Sequence, residues 1–170
     1  MRFCSILIVM ATIYLETSFF SACVTSRSDP ASVTRRQESR TWWTMQRKRH
    51  DLFISAEVLA ELSSPTYPNR ALALRMTVGL KLLAVDSPSV ALAQALVNEK
   101  VMPGPAGSGD AIHVAVATIH KMKHILSWNV RHLANVNKVE HLKSVCNRLG
   151  FEPPTIVTPD ALWPDEPTGE

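Results

Sequence analysis

Several features that mark common protein classes are absent from this chain of 170 residues. Its three cysteines, Cys4, Cys23 and Cys146, are odd in number and far apart, and no C-x-x-C pair accompanies them. Neither a disulfide framework nor a zinc site is therefore indicated, and a reducing cytoplasm is expected. The chain also has no glycine-rich phosphate loop and no internal repeat, which argues against P-loop nucleotide binding and a repeat architecture.

A long apolar run that could span a membrane is absent too. Arg2, the uncharged residues 3–15 and the small residues before Cys23 imitate a secretory or lipoprotein signal. However, Glu16 interrupts the run, which is also too short for a membrane span. Met10 is an alternative start, which would leave residues 1–9 as an extension before the first strand. We expect a cytoplasmic protein without membrane contact, and an exported lipoprotein modified at Cys23 is the least favoured interpretation.

The chain has the length and the 46% hydrophobic content of one compact domain, 1–170, with a frayed tail over residues 163–170. Short apolar runs alternate with longer helical patterns, which is typical of an α/β fold with a parallel sheet. Strands are predicted over residues 11–15, 51–54, 82–85, 124–127 and 155–157. Helices are predicted from Ser55 to about Leu62, Asn69 to about Gly79, Ser87 to about Lys100, from Asp110 onward, and from Lys138 to about Leu149.

The net charge of +3 is unevenly distributed. Residues 27–50 contain seven basic and two acidic side chains, a net of +5, so the rest of the chain carries −2. This asymmetry suggests a polyanionic partner, although a solvated helix face explains it equally well. The stretch from Arg35 to Arg49 is predicted to form a long helical arm. Its Trp42 and Trp43 either stack on nucleic-acid bases or, more simply, pack in the core or a dimer interface.

Four oxygen-bearing side chains stand out: Glu16, Asp110 and Asn129 follow predicted strands or begin predicted helices, and Glu61 lies about a turn and a half into the helix begun at Ser55. In a parallel sheet the functional crevice lies outside the carboxyl ends of the strands, so these groups can converge there. Converged carboxylates repel each other, and a hard cation such as Mg²⁺ or Mn²⁺ relieves that repulsion.

Each of these residues has a simpler explanation as well. Glu16 could be an ordinary charge at a helix N-terminus, and Glu57 competes with Glu61 on the same helix face. The position of Glu57 in the first turn is, however, what compensation of the helix dipole alone produces. His113 and His132 are expected to pack and form hydrogen bonds, because magnesium sites prefer oxygen ligands.

Four segments together resemble the PIN-domain ribonucleases, in particular the VapC-type toxins of bacterial toxin–antitoxin pairs. They are Tyr14-Leu15-Glu16-Thr17-Ser18, the helix pattern over 55–62, Asp110-Ala111-x-His113-x-Ala115-x-Ala117, and the segment 126–135. The segments occur in the order and spacing of that family. The resemblance extends from about Ala11 to Leu162.

The resemblance implies a three-layer α/β/α sandwich with a central, mainly parallel sheet, and a Mg²⁺- or Mn²⁺-dependent endoribonuclease that cleaves RNA. It also implies a homodimer and a cognate antitoxin whose C-terminal segment covers the active site. By position, Glu16, Glu61 and Asp110 fall on the acidic, metal-binding triad of the family. Asn129 takes a position that often holds a fourth acid.

Further roles follow from that assignment. Ser127 and Thr17 would orient water or phosphate, and Arg35, Arg36 and Arg40 would grip the RNA backbone. The first acid of the family is usually aspartate, and Asn129 is neutral, so the site carries at most −3 and a second metal is in doubt. These departures motivate an alternative function: a catalytically weak PIN-like module that binds RNA or DNA and acts by association.

Overall fold

Five strands alternate with seven helices in the part of the chain that the computed structural model describes, residues 11–133 and 135–164. The side chain of Val136 is outside this description. The strands are β1 (Thr12–Leu15), β2 (Asp51–Ser55), β3 (Lys81–Leu83), β4 (His124–Leu126) and β5 (Thr155–Val157). The helices are α1 (Thr17–Val24), α2 (Pro30–Gln46), α3 (Ala56–Leu62), α4 (Arg70–Thr77), α5 (Ser87–Asn98), α6 (Asp110–Ile119) and α7 (Val136–Arg148).

All five strands run parallel in one sheet with the order β3-β2-β1-β4-β5. β1 is central, and its Ile13 pairs with Leu52 on one side and with His124 on the other. A central strand of a parallel sheet is covered on both faces, which explains why Ile13, Tyr14 and Leu15 have no exposed surface. The predicted parallel sheet is confirmed.

The connections between strands place helices on both faces of this sheet. The chain moves from β1 to β2 to β3 in one direction and then returns past β1 to β4 and β5. Because such crossovers are right-handed, α1 to α4 cover one face and α5 to α7 the other. The contacts agree, since α1 packs on α2, α3 and α4, whereas α5 packs on α6. The predicted α/β/α sandwich is confirmed, and the direction of winding reverses between β1 and β4.

Several element ends differ from the sequence prediction for local reasons. The strand predicted over 82–85 ends at Leu83, where its pairing with β2 stops. α4 ends at Thr77 rather than at Gly79, because Val78 is already extended; Gly79 follows with a φ of +83°, which glycine adopts readily. α7 begins before Lys138, because the side chain of Asn135 caps an earlier backbone N–H.

The basic segment 35–49 is not the long arm that the sequence predicts. Its helical part belongs to α2, which ends at Gln46. Trp42 of α2 is fully buried in edge-on contact with Phe19 of α1. Its indole N–H donates to the backbone oxygen of Leu162 at 2.9 Å. Because burial of so large an aromatic surface is strongly favourable, α2 packs on the body of the domain.

Packed residues occur at both ends of the described part of the chain. Trp163 packs against the core, and the predicted frayed tail otherwise falls on residues 165–170, outside the described residues, as does the predicted extension 1–9. Cys23 lies within α1, and burial raises the pKa of its thiol to about 12. Processing at Cys23 would remove β1 from the centre of the sheet, so the lipoprotein interpretation is incompatible with this fold. In the described part of the chain, no helix combines the length and the apolar character that crossing a bilayer requires.

Candidate active site

The carboxylate of Glu16 lies where the winding of the sheet reverses, between the carboxyl ends of β1 and β4. Its backbone N–H continues the pairing of these strands by donating to the oxygen of Leu126 at 3.1 Å. Its side chain caps α1 by accepting the backbone N–H of Ser18 at 3.1 Å. Ser127, the residue after β4, donates its hydroxyl to Glu16 Oε2 at 2.7 Å. Open α/β sheets bind their ligands at such reversal points.

Two serine hydroxyls fix the orientation of Glu16. Ser18 Oγ also donates to Glu16 Oε2, and it accepts the backbone N–H of Trp128 at 2.8 Å. Ser127 Oγ accepts the backbone N–H of Asn129 at 2.9 Å. Each hydroxyl therefore gives its proton to the carboxylate and is itself held by the main chain. Neutral donors of this kind stabilise a negative charge without cancelling it.

α3 brings Glu61 to the same point. Thr17 donates its hydroxyl to Glu61 Oε2, and His113 Nε2 lies 3.1 Å from that oxygen. Burial works to raise the pKa of Glu61, but the hydrogen bonds from His113 and Thr17 outweigh it and hold the pKa below its ordinary value. Glu57, the competitor one turn earlier, instead accepts the backbone N–H of Gly109 at 2.9 Å. Glu57 thus fixes the loop that leads into α6.

A buried polar chain stands behind Glu61. His113 is 1% exposed, and its Nδ1 lies 2.7 Å from the hydroxyl of Tyr14, which in turn lies 2.7 Å from Ser55 Oγ. Ser55 holds the predicted N-cap position of α3, but its hydroxyl contacts Tyr14 and makes no capping bond. Burial works against a charge on His113, yet its hydrogen bond to Glu61 and the charges of Glu16 and Glu61 raise its pKa. His113 therefore offsets part of the negative charge.

Glu16, Glu61 and His113 converge closely enough to share one ion. One potential ligand atom from each lies within 4.8 Å of the other two. Sequence reasoning assigned His113 to packing and hydrogen bonding; it is indeed packed and hydrogen-bonded, and it also faces both carboxylates. A signal for this was available, because His113 follows Asp110 by three residues and so lies on the same face of α6.

Asp110 begins α6 beside these three groups, although it is not one of them. Asn129 Nδ2 donates to Asp110 Oδ1 at 2.8 Å, and Asn129 Oδ1 accepts the backbone N–H of His132 at 3.2 Å. Burial raises the pKa of Asp110, and the positive charges of His132 and His113 oppose this only in part. The sequence suggested Asn129 as an oxygen ligand, whereas in the structure its amide nitrogen donates to Asp110.

The three arginines predicted to bind RNA have different environments. Arg36 and Arg40 donate to backbone carbonyls at the C-terminal end of α1, at 2.9 Å and 2.7 Å. Helix ends leave such carbonyls without intrahelical partners, so these two side chains connect α2 to α1. Arg35 instead lies over Trp128, with its guanidinium carbon 5.6 Å from the ring centroid. Of the three, Arg35 is the one in contact with the segment that carries Ser127 and Asn129.

A comparison with models of protein families identifies the family of this domain. Residues 13–138 match the model of the PIN domain. The chain belongs to the PIN-domain family. The family prediction made from the sequence is confirmed over most of the chain. Proteins of curated function provide no significant match.

Solved structures share the fold of this PIN domain. VapBC2 from Rickettsia felis, described as bound to a DNA fragment from their promoter, is 12% identical with a TM-score of 0.55, over 86% of this chain and 97% of that one. VapC20 from Mycobacterium tuberculosis, described as a sarcin-ricin loop cleaving toxin, is 18% identical with a TM-score of 0.54, over 74% and 95%. FitAcB from Neisseria gonorrhoeae is 14% identical with a TM-score of 0.54, over 88% and 99%.

Glu16, Glu61 and Asp110 have no lysine or arginine partner among the described residues. Within the described ranges, the only ion pair made by any of these three acids joins Glu61 to His113. Three carboxyl groups thus share one edge of the sheet with two imidazoles, those of His113 and His132, as nearby counter-charges. Oxygen-rich, negatively charged groups of this kind are the ligands that hard divalent cations prefer, so the donor set fits Mg²⁺ or Mn²⁺.

Proposed function

We propose that this PIN domain is a metal-dependent endoribonuclease and the toxin of a toxin–antitoxin pair. One observation carries the proposal: Glu16 and Glu61, from distant segments of a PIN domain, converge with His113 at the reversal point of the sheet, and Asp110 lies within electrostatic reach of Glu61 and His113. None of the three acids has a lysine or arginine partner in the described residues. Such an edge is the ordinary position of a site in open α/β sheets.

Glu16, Glu61 and Asp110 would hold Mg²⁺ or Mn²⁺, with His113 supporting Glu61. When bound, the cation would lower the pKa of the attacking water and would neutralise charge on the phosphate oxygens. The carboxylates contribute by being fixed in advance, since a site that is already organised loses little entropy when it acts.

Each neighbouring side chain has a positioning role in this proposal. Ser127 and Ser18 hold Glu16, and Thr17 holds Glu61. Asn129 holds Asp110 through one hydrogen bond. In the in-line attack of water on an RNA phosphodiester, these contacts keep the carboxylates at the edge where the strand would lie. Ser127 and Thr17 therefore act on the reaction through Glu16 and Glu61.

The similar structures suggest the partners that we propose. Among the similar structures, VapBC2 is described as bound to promoter DNA and VapC20 as cleaving the sarcin-ricin loop. These descriptions support an RNA substrate and a cognate antitoxin protein for this chain. We also propose a cytoplasmic homodimer, as the resemblance to VapC-type toxins implies.

Asp110→Asn tests the site most directly. The substitution keeps the volume and removes one negative charge from a half-buried position, so we expect cleavage of RNA to fall by at least about a hundredfold while the fold is retained. The full chain is incubated with labelled RNA in Mn²⁺, in Mg²⁺ and in EDTA, and circular dichroism reports folding. Glu140→Gln is the matched control, because Glu140 is 81% exposed on α7.

The outcomes separate the two functions considered. Cleavage by the wild type that needs the cation and is lost in Asp110→Asn supports the nuclease. Binding of RNA without cleavage under any metal condition supports the module that acts by association. A folded Asp110→Asn protein with full activity would falsify the proposed metal site.

A further inference from the structure

A cavity lies beside the segment that carries Ser127 and Asn129. It has a volume of about 380 Å³ and is lined by Thr34, Arg35 and Glu38 of α2, by Trp128 and by Asp160, among others. A short chain of hydrogen bonds connects Trp128 to Glu16. The backbone N–H of Trp128 donates to Ser18 Oγ, which donates to Glu16. A polymer bound across Glu16 therefore passes close to this cavity.

Trp128 provides a fixed aromatic wall. Its indole N–H donates to Ser39 Oγ at 2.7 Å, and Ser39 has no exposed surface. The ring is only partly buried, so this hydrogen bond, rather than close packing on all sides, sets its orientation. An aromatic ring that is held in place loses little entropy when a base stacks on it. Arg35 over the same ring adds a cation that can contact phosphate or stack on a base.

The polar rim of the cavity is rich in acceptors. Among the described residues, no hydrogen bond or ion pair engages the carboxylate of Glu38 or Asp160. The hydroxyl proton of Thr34 is already donated to the backbone oxygen of Pro30 at 3.0 Å. An ionised carboxylate only accepts hydrogen bonds. Apart from Arg35, these rim groups therefore recognise a ligand that presents donors.

Guanine is the base that presents most donors on one edge. Its N1–H and its N2 amino group are adjacent, whereas adenine and cytosine offer one amino group beside an acceptor, and uracil offers one N–H between two acceptors. The cavity volume lies near the lower end of the roughly 300–1,000 Å³ of small-ligand sites, which suits one flat ring system.

We propose that this cavity is a base-binding subsite that takes one unpaired guanine of an RNA strand whose phosphodiester lies at Glu16, Glu61 and Asp110. The base stacks on Trp128 and donates to Glu38 and Asp160. The subsite selects which phosphodiester enters the site. This inference rests on the proposed nuclease function for the nature of the ligand, but its test measures binding alone.

Binding is measured with the full chain in EDTA, so that no strand is cleaved. The probes are fluorescent oligouridines that carry one central guanine, adenine or cytosine, and anisotropy reports the dissociation constants. We expect the guanine strand to bind at least about tenfold more tightly than the others. In the double variant Glu38→Gln/Asp160→Asn this preference should disappear. The Glu140→Gln control should keep it.

Trp128 is tested by two variants. Trp128→Ala should weaken binding of every strand by between about fivefold and about 150-fold, as loss of a stacking platform does. Trp128→Phe keeps an aromatic face and should retain most of the affinity, which also guards against a loss that only reflects misfolding.

The results distinguish this inference from the nuclease proposal. No guanine preference in the wild type, or a preference that survives in Glu38→Gln/Asp160→Asn, overturns the subsite even if the protein cleaves RNA. Unchanged affinity in folded Trp128→Ala overturns it too. A guanine preference that depends on the two carboxylates, in a protein that cleaves no RNA with Mn²⁺ or Mg²⁺, supports the subsite and overturns the nuclease proposal.

Discussion

Glu16 and Glu61 are stabilised by hydroxyl groups and one histidine instead of by lysine or arginine in the described residues. A lysine or arginine would bind the carboxylates permanently and compete with a metal ion, whereas a serine or threonine hydroxyl only orients them. Ser127 and Thr17 donate to Glu16 and Glu61 respectively. At the scale of single residues, the site therefore keeps its negative charge available and its geometry fixed.

Asn129 is the residue whose observed contact most changes its expected role. Its amide nitrogen donates to Asp110 Oδ1. In Asn129→Asp that donor becomes a second carboxylate, so we expect the metal-free protein to lose about 1–3 kcal/mol of stability and Mn²⁺ to bind more tightly. Urea unfolding in EDTA and calorimetric titration of Mn²⁺ measure the two effects.

Asn129→Ala is the matched comparison, because it removes the hydrogen bond without adding a charge. We expect slower cleavage and nearly unchanged affinity for Mn²⁺ in that variant. Equal affinity for Mn²⁺ in wild type, Asn129→Asp and Asn129→Ala would show that Asn129 serves only the turn that its Oδ1 forms with the N–H of His132.

Some of these contacts follow from sequence and others do not. Glu16 and Asp110 could be placed at the edge of the sheet, because one follows an apolar strand and the other opens an apolar helix. The contact of Tyr14 with His113 joins residues 99 positions apart. Its existence depends on how α6 lies against β1, which no local pattern encodes. His113 was expected only to pack and form hydrogen bonds, because magnesium sites prefer oxygen ligands. Its approach to both carboxylates was not predicted, although its spacing from Asp110 indicated a shared helix face.

At the scale of elements, the amino ends of the central strands meet around two histidines. His50 precedes β2, accepts the backbone N–H of Ala11 through Nδ1 at 3.3 Å and stacks on Trp42 of α2. His124 begins β4. Burial lowers the pKa of both side chains, and the charges of Arg49 and Lys123 nearby add to this effect. The neutral form of each histidine is the one that fits the fold.

We expect this pair to make stability depend on pH. A lowered pKa in the folded state means that stability is present at neutral pH and is lost as the pH falls below the ordinary pKa of histidine, from about 7 to about 5. The pKa of His113 is raised, so its contribution has the opposite sign in the same range. A comparison with a variant is therefore needed to isolate His50.

His50→Asn is suitable because its Oδ1 can accept the same backbone N–H and does not titrate. Urea unfolding of wild type and variant at pH 7 and pH 5 should show a smaller loss of stability in His50→Asn. A loss of the same size in both proteins would assign the pH dependence to other groups, with His124 the next to test.

The elements themselves were largely predictable, and the exceptions are instructive. α6 and β1 were found because they are apolar on nearly every side, as buried elements must be. The basic segment 35–49 was expected to form a long helical arm that carries Trp42 and Trp43. Instead, Trp42 packs on Phe19, so the helical part of the segment lies against the body of the domain. One buried tryptophan outweighs many exposed charges, and composition alone does not reveal which of two adjacent tryptophans is buried.

At the scale of the whole molecule, α2 and the basic residues that follow it divide the basic charge between the two edges of the sheet. α2 has 17 residues, hence a length of roughly 25 Å at about 1.5 Å per residue. Arg35, on the half of the helix that contacts Trp128, lies toward the carboxyl edge with the proposed site. Arg47 and Lys48 line a groove of about 790 Å³ near the first residues of β2 and β3, at the amino edge.

This division makes the salt dependence of RNA binding a test of where the strand lies. Arg35→Gln should weaken binding of single-stranded RNA and reduce the slope of log affinity against log salt by about 0.7, the value for one lost phosphate contact. Arg47→Gln/Lys48→Gln removes two charges at the opposite edge and should leave the slope for short strands unchanged. Arg36→Gln and Arg40→Gln should lower stability by about 1 kcal/mol each, because they remove hydrogen bonds to the end of α1. A slope that falls with Arg47 and Lys48 but not with Arg35 would place the strand across the amino edge, away from Glu16, Glu61 and Asp110.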